Sequence, residues 1–179
     1  MKRLRWLVAL AFASLCLAQL DPSLMAWWLK AKFPPAETEY EGVQVNAIDP
    51  DWVKIKVLSF EAMPTEAKSD FGWMREKRLS FKVDEYFKRP GLEDREICGT
   101  YQTRSGKLGR FVMVLERKPS APWKVVLAYQ IPDEAGFSVL HRSTKGLLWG
   151  DCMQCDGDFW RIRLGKNGKY YIDSSLIKP

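Results

Sequence analysis

The chain has 179 residues, with 28 lysines and arginines against 22 aspartates and glutamates and a formal net charge of +6. A chain of this length folds as a single domain and buries roughly two-thirds of its unfolded surface, so it needs neither a metal ion nor a disulfide bond merely to have a core. Aromatic residues make up 13% of the sequence and repeats are absent, which argues against a disordered chain.

The N-terminus has the pattern of a secretory signal segment. Three cations among the first residues precede an apolar run over residues 6–20, which Asp21 and Pro22 end. This is the order of the cationic and apolar regions of a signal peptide. The run is shorter than the roughly 20 apolar residues that a spanning helix needs. We therefore expect residues 1–18 to be a cleaved signal peptide and residues 19–179 to form a single β-rich globular domain.

Export predicts a periplasmic or secreted location. Two alternatives stay open: a lipid attached to Cys16, although Leu15 stands where lipoprotein signals have a smaller residue, and an uncleaved membrane anchor. Contact with a membrane is expected only through the signal segment or through such a lipid. Removing residues 1–18 takes away three positive charges and no negative ones, so the net charge falls from +6 to +3. Much of the basic character therefore belongs to targeting.

A short amphipathic helix is expected directly after the signal segment. Asp21 can cap this helix with Pro22 at its first position, and Pro34-Pro35 prevent its continuation. We expect the helix to cover an edge or open end of a sheet. A surface for a membrane or partner is the alternative, because Trp27 and Trp28 are adjacent and cannot both face inward. The apolar residues on one helical face are Leu24, Met25, Trp28 and Leu29.

From Val43 onward the hydrophobic period changes to two, in short runs separated by turn residues. The clearest hairpin is the last, where the turn 165–168 contains Asn167-Gly168, a pair typical of positive φ. The pattern of residues 64–78 is weakly helical, with Phe71, Met74 and Trp73 as candidates for the core, and a long loop is the alternative. Nine short strands are expected, at residues 43–48, 52–60, 79–83, 96–102, 110–116, 123–130, 137–141, 159–164 and 169–172.

These elements predict a mainly β fold of the α+β kind. The expected architecture is a curved antiparallel sheet or small sandwich with an N-terminal amphipathic helix packed on it. The alternative is a cone-shaped sheet wrapped around a helix, as in cystatin-like or nuclear-transport-factor-like folds. That alternative fits the helix-first order and the long strands at the end of the chain.

The segment Ile97-Cys98-Gly99-Thr100-Tyr101-Gln102, followed by Gly106, Gly109 and Phe111, carries a local resemblance. It resembles a V-C-G-x-V-N-x-K-N-S-x-G-G-Y-x-G-F segment found in a group of small, exported, functionally uncharacterised bacterial proteins. Asp49-Pro50-Asp51-Trp52 is similar to the aspartate-proline pair that leads into a strand in the same group. The resemblance implies export and a cysteine before a glycine turn, and it implies no reaction.

Cys152 and Cys155 form the only spacing with a recognised chemical use. A Cys-x-x-Cys pair can be a redox dithiol, half of a zinc site or a local disulfide bond. A redox pair is typical of a helix N-terminus, whereas Asp151, Asp156 and Asp158 make these surroundings acidic and turn-like. Acidic neighbours raise the pKa of a thiol, so we do not favour redox catalysis here.

A zinc site would need two further ligands, and the chain offers Cys98 and its single histidine, His141. The alternative to this Cys3His set is one structural disulfide bond, either between Cys152 and Cys155 or between Cys98 and one of them. A bond from Cys98 would close a loop of more than 50 residues. In the chain-entropy account such a loop is worth roughly 4 kcal/mol.

The last hairpin interleaves Arg161 and Arg163 with aromatic residues, including Tyr170. Together with Trp27, these side chains are the candidates for a binding surface. Such patterns occur in proteins that bind single-stranded nucleic acid or anionic glycans. A net charge of +3 after export does not favour nucleic acid, although an anionic lipid or cell-wall polymer stays admissible. The carboxylates Glu93, Asp94 and Glu96 are expected in a solvated loop.

The sequence therefore predicts an exported envelope protein that binds, inhibits or assists an assembly without catalysis, using strand edges and exposed aromatic residues. The expected partner is a protein or another envelope component, and no cofactor is expected. The sequence contains none of the hydrolase, zinc-protease, phosphate-loop or dinucleotide motifs. The alternative is a thiol redox or zinc-binding protein that uses Cys152 and Cys155.

Overall fold

A computed structural model of the chain describes residues 26–152 and 159–175. In this part the chain is mainly β, with three antiparallel sheets that do not close into a barrel, which confirms the predicted fold class. The twelve strands are β1 Glu39–Tyr40, β2 Val43–Gln44, β3 Trp52–Val57, β4 Leu79–Ser80, β5 Lys82–Asp84, β6 Glu93–Thr103, β7 Leu108–Arg117, β8 Lys124–Pro132, β9 Val139–Ser143, β10 Gly146–Gly150, β11 Trp160–Leu164 and β12 Tyr170–Asp173.

The described helices are short. The α-helices are α1 Trp27–Lys30, α2 Val45–Ile48 and α3 Phe71–Glu76, and two 3₁₀ helices cover Phe60–Ala62 and Thr65–Asp70. The longest α-helix within residues 26–152 and 159–175 has six residues. The cystatin-like or nuclear-transport-factor-like cone therefore does not fit the described part of the chain, because no helix there is long enough to fill such a sheet. None of the described helices is long and apolar enough to cross a membrane.

Two five-stranded sheets face each other across the main core. The central sheet has the order β3-β6-β7-β8, and β5 also pairs with β6. The C-terminal sheet has the order β12-β11-β10-β9-β4. Cys98, Val112 and Val114 of the central sheet share one buried cluster with Leu147 and Ile162 of the C-terminal sheet. The two sheets are thus joined through a common hydrophobic interior.

The hairpin of β6 and β7 lies at the centre of the central sheet, and both of its faces are buried. Val112 and Val114 face the C-terminal sheet, whereas Phe111, Met113 and Leu115 belong to a second core on the opposite face. Alternate side chains of a strand point to opposite faces, so a strand covered on both sides is apolar at every position. This explains the continuous apolar run along β7.

The chain changes sheets at Phe81. Leu79 pairs with His141 in the C-terminal sheet, whereas Lys82 pairs with Ile97 in the central sheet. The expected strand over residues 79–83 is therefore two short strands on different sheets. Phe81 itself is buried between them and anchors the crossing.

Several predicted elements differ in detail from the structure. Only Val43–Gln44 of the expected strand at residues 43–48 is extended, because α2 begins at Val45. The nine expected strands do not include β10, because its glycine-flanked sequence lacks a hydrophobic period of two. The predicted C-terminal hairpin is confirmed: Ile162 pairs with Ile172, and Gly168 in its turn has a φ of 74°.

The N-terminal helix is shorter and differently oriented than expected. In the described part, Trp27 of α1 is buried, whereas Leu29 is 56% exposed, so the prediction that Leu29 lies on the buried face is wrong. Residues 1–18 with Cys16, and the predicted helical positions Leu24 and Met25, lie outside the described residues.

Candidate functional site

A cavity of about 570 Å³ opens on the edge of the central sheet. It lies where β3 ends and β5 begins, between the segment that leads into β1 and the first 3₁₀ helix. We call this cavity the edge groove. Its volume falls within the roughly 300–1,000 Å³ of small-ligand sites. Its floor is formed by the apolar side chains of Ile55, Val57, Leu58, Phe60 and Phe81.

The groove exists because strand β6 changes its neighbour at Cys98. The amide of Leu58, next to the end of β3, donates to the carbonyl of Cys98 at 3.0 Å. The amide of Cys98 in turn donates to the carbonyl of Phe81, next to the start of β5, at 3.2 Å. One edge of β6 is thus shared by two strands that meet end to end. The gap beside their junction is the groove.

The rim of the groove carries an excess of acidic groups. Glu37, Glu39 and Glu61 line it together with the single cation Lys82. The pKa of Glu61 is lowered, chiefly by a hydrogen bond to its own backbone amide and then by one to Ser59, so this carboxylate stays ionised at neutral pH. The rim is therefore negative on a chain whose net charge is +6.

Two of these carboxylates are held in place by neighbours. The Lys56 ammonium lies 2.8 Å from Oε1 of Glu37, and the side-chain amide of Gln44 donates to Glu39 at 2.5 Å. Oε2 of Glu37 is buried and accepts no hydrogen bond from the described residues. A buried acceptor without a donor is costly, so this oxygen is a point at which a bound donor would be stabilised.

The outer edge of strand β3, beside the groove, also has an unpaired backbone position. Ile55 uses its outward N–H and C=O to pair with Glu37. In an antiparallel strand these outward positions alternate, so the next one is Val57. Its N–H has no backbone partner among the described residues. The carbonyl of Val57 is not paired by another backbone amide in the described part either. Pro34 and Pro35 of the preceding segment cannot donate to it, because proline lacks an N–H group.

The structure places Trp27 and Tyr170 in the interior, so the prediction that they form a binding surface is wrong. The indole Nε1–H of Trp27 donates to Asp70 at 2.7 Å, and its ring lies 5.2 Å from the ring of Phe137. The hydroxyl of Tyr170 donates to Glu116 at 2.7 Å. Both side chains are buried and hydrogen-bonded within the fold.

Arg161 and Arg163 lie on the face of β11 opposite Ile162 and share one carboxylate. Nε of Arg163 donates to Oδ2 of Asp173 at 2.8 Å, and a guanidinium nitrogen of Arg161 lies 3.7 Å from the same oxygen. The side chain of Arg161 is only 15% exposed. Only Arg163 therefore keeps substantial exposure, and the structure does not bring the four predicted surface residues together.

Cys98 is a buried, free thiol. Its sulfur lies 3.5 Å from the carbonyl oxygen of Ser138, and burial raises the pKa of the thiol to about 12. Cys98 is 0% exposed and belongs to the main hydrophobic core. Cys152 takes part in a disulfide bond, and since Cys98 is free, the alternative of a bond from Cys98 to Cys152 or Cys155 is wrong. Cys155 lies outside the described residues.

His141 does not join Cys98 in a metal site. Burial lowers the pKa of the imidazole, whose ring lies 6.2 Å from that of Phe159. Within residues 26–152 and 159–175, no group of three histidine, cysteine, aspartate or glutamate side chains is placed to hold a metal ion. The proposed zinc set is therefore not assembled in the described part of the chain.

Asp94 and Glu96 are buried within strand β6, so the prediction of a solvated loop is wrong for both. Glu116 lies directly opposite Asp94 on β7. Burial, followed by the charge of Asp94, raises the pKa of Glu96 to about 9. These carboxyl groups lie on the face of the central sheet that packs on the C-terminal sheet.

The segment that resembles exported bacterial proteins forms the β6–β7 hairpin. A side chain at Gly99 would place its Cβ 2.2 Å from the carbonyl oxygen of Lys56, and one at Gly109 would meet the ring of Tyr101 at 2.4 Å. Both glycines are therefore required by close packing. The segment supports the sheet, and its cysteine faces the core.

No protein-family model, no curated protein and no solved structure matches the chain significantly. The local resemblance therefore stays a prediction, and a function has to be argued from the geometry of the site.

The edge groove has no signature in the sequence. Its residues come from three separate segments, and no motif links them. The available signal was Glu37 and Glu39 after Pro34-Pro35, which indicates an acidic extended segment that cannot donate from its first residues. Their position beside Phe81 depends on the change of sheet, which no local pattern shows.

Proposed function

We propose that the protein is an exported, non-enzymatic binding protein of the cell envelope, and that its ligand occupies the edge groove. The edge groove itself carries this proposal: a cavity of about 570 Å³ with an apolar floor, a negative rim and an unpaired strand edge. Export is supported by the cationic and apolar pattern of residues 1–18. The expected partner is a protein or another envelope component.

The chemistry of the groove favours binding over turnover. Lys56 and Gln44 already hold Glu37 and Glu39, and the lowered pKa of Glu61 keeps that carboxylate ionised. A general acid or base works best with a pKa near the operating pH. Acidic side chains beside an apolar floor instead suit the recognition of a cation with an apolar part.

The proposal is tested by a fragment screen followed by amide chemical shifts in the purified protein. Bound fragments are expected to shift amides that line the groove, such as Val57 and Phe81. Replacing Val57 by tryptophan fills the floor and is expected to abolish these shifts. Val126→Trp is the matched control, since Val126 lies exposed on β8, outside the groove lining. Fragments that bind elsewhere, or equally well to Val57→Trp, would contradict the proposal.

A further inference from the structure

We infer that the ligand of the edge groove is an extended polypeptide segment carrying a basic side chain, which joins the central sheet as an added strand beside Val57. This inference rests on the proposed function, because it names the class of ligand for the same groove. Addition of a strand to an exposed sheet edge is a general mode of peptide recognition, in which backbone hydrogen bonds give affinity and side-chain pockets give specificity.

The backbone geometry supports an added strand. Residues Ala36 and Glu37 already pair with the outward side of Ile55, with both amides donating to its carbonyl at 3.0 and 2.9 Å. Continued past Ile55, this pairing would bring Pro35 opposite Val57. Proline cannot donate, and the chain instead leaves the edge towards Phe33, whose amide donates to Ala135 at 2.9 Å. The outward backbone of Val57 is thus left for another chain.

The neighbouring edge of β5 is closed, which limits where a segment can pair. The hydroxyl of Ser80 donates to the carbonyl of Lys82 at 2.6 Å and accepts from the amide of the same residue at 3.3 Å. Lys82 is the outward residue of β5 that lies beside the groove. At the junction, the amide of Lys82 is therefore already bonded, whereas the outward amide of Val57 on β3 is left for a ligand.

The side chains of the groove define the composition of the segment. Alternate residues of an added strand point to opposite faces. A segment that alternates apolar and basic residues can place its apolar set beside Ile55 and Val57, which lie on the side of the second core. The other set can then reach Glu39 and Glu61 on the rim. The buried Oε2 of Glu37 is a further acceptor for a donor of the segment.

The probe for this inference is the blocked peptide acetyl-Val-Lys-Val-Lys-amide, with its dissociation constant measured by titration calorimetry. Three matched probes separate the contributions of the positive charge, of one backbone N–H and of the peptide backbone as a whole to the binding free energy. Acetyl-Val-Glu-Val-Glu-amide reverses the charge, a version with the second valine N-methylated loses one backbone donor, and butylamine keeps only the cation. Each of these is expected to bind at least about tenfold more weakly than the lysine peptide, since a charge-assisted contact or a backbone hydrogen bond is worth roughly that factor.

Variants of the protein complement the peptides. Glu39→Gln combined with Glu61→Gln is expected to weaken binding of the lysine peptide about three- to tenfold. Val57→Pro removes an N–H that the sheet does not use, a change that edge strands tolerate. It should abolish peptide binding while far-ultraviolet circular dichroism stays unchanged. If that variant does not fold, the N-methylated peptide still tests the backbone contact.

The outcomes separate this inference from the proposed function. If fragments occupy the groove but the lysine peptide does not bind, or binds no better than butylamine, the strand-addition inference is overturned and the binding groove stands. If neither fragments nor peptides bind in the groove, both the proposed function and the strand-addition inference are overturned. A dimer of the purified protein that dissociates in Val57→Trp would place a second copy in the groove and would also overturn the inference.

Discussion

Among single residues, Asp94 and Glu96 stand out because two neighbouring carboxyl groups are buried together in strand β6. Both carboxyl groups are buried on the same face of β6, and Glu96 is 0% exposed. Without a shared proton, Oδ1 of Asp94 and both carboxyl oxygens of Glu96 lack a hydrogen-bond donor among the described residues. Burial and the charge of Asp94 raise the pKa of Glu96 to about 9, so the pair holds a proton at neutral pH.

This pairing predicts a loss of stability with rising pH. The pKa of Glu96 is higher in the folded state than the ordinary 4.5, so the folded state binds more protons between about pH 4.5 and 9. In that window Glu96 lowers the free energy of unfolding by up to about 1.4 kcal/mol per pH unit. Glu96→Gln keeps a donor towards Asp94 without titrating. Its free energy of unfolding should match the wild type near pH 5 and exceed it by roughly 2–4 kcal/mol at pH 8.

Urea unfolding from pH 5 to 9 measures this difference, and the effects of other titrating groups cancel between the two proteins. Glu76→Gln, at an exposed position of α3, is the control and should leave the difference near zero at every pH. A Glu96→Gln protein that is less stable than the wild type at pH 8 would show that Glu96 is ionised in the fold.

At the scale of elements, the β6–β7 hairpin determines the shape of the central sheet. Gly99 permits β3 to approach β6, because a Cβ there would lie 2.2 Å from the backbone oxygen of Lys56 and 2.7 Å from the ring of Phe111. The backbone oxygen cannot move without breaking the pairing of Lys56 with Thr100. The same close approach leads β3 to the junction at which the edge groove opens.

We expect Gly99→Ala to lower the free energy of unfolding by about 2–3 kcal/mol or more, because the added methyl group displaces β3 or the ring of Phe111. Gly72→Ala is the matched control. No heavy atom lies within 4 Å of a Cβ at Gly72, which sits in α3, so alanine should raise stability by about 0.5–1 kcal/mol. Chemical denaturation measures the free energy of unfolding of Gly99→Ala and Gly72→Ala. Equal values for the two variants would contradict the packing argument.

At the scale of the whole molecule, the two large sheets are joined by a polar contact as well as by the core. Tyr170 of β12 donates its hydroxyl hydrogen to Oε1 of Glu116 on β7, and Arg89 binds the same oxygen at 2.6 Å. Glu116 is 9% exposed, so its carboxylate has lost nearly all of its contact with water. The hydrogen bonds from Tyr170 and Arg89 compensate for this loss of hydration. The contact fixes the C-terminal hairpin against the central sheet.

We expect Tyr170→Phe to lower the free energy of unfolding by about 1–2 kcal/mol, because Glu116 loses one of two donors in a buried position. Tyr171→Phe changes the neighbouring tyrosine, which is 46% exposed, and should alter stability by less than about 0.5 kcal/mol. Thermal unfolding of the two variants measures both values. A loss in Tyr171→Phe as large as in Tyr170→Phe would show that the hairpin, and not the sheet contact, is affected.

The β-rich fold class, the C-terminal hairpin and the core position of Met74 are predictable from the sequence, because a period of two, an Asn-Gly turn and a helical apolar face are local signals. The burial of Trp27, Glu96 and Tyr170 instead depends on long-range contacts. Each is amphipathic or polar, and its placement depends on whether a partner such as Asp70 or Glu116 arrives from a distant segment. The edge groove belongs to the second group, since it arises where two strands distant in sequence meet on one edge of β6. No local pattern records which strands will meet there.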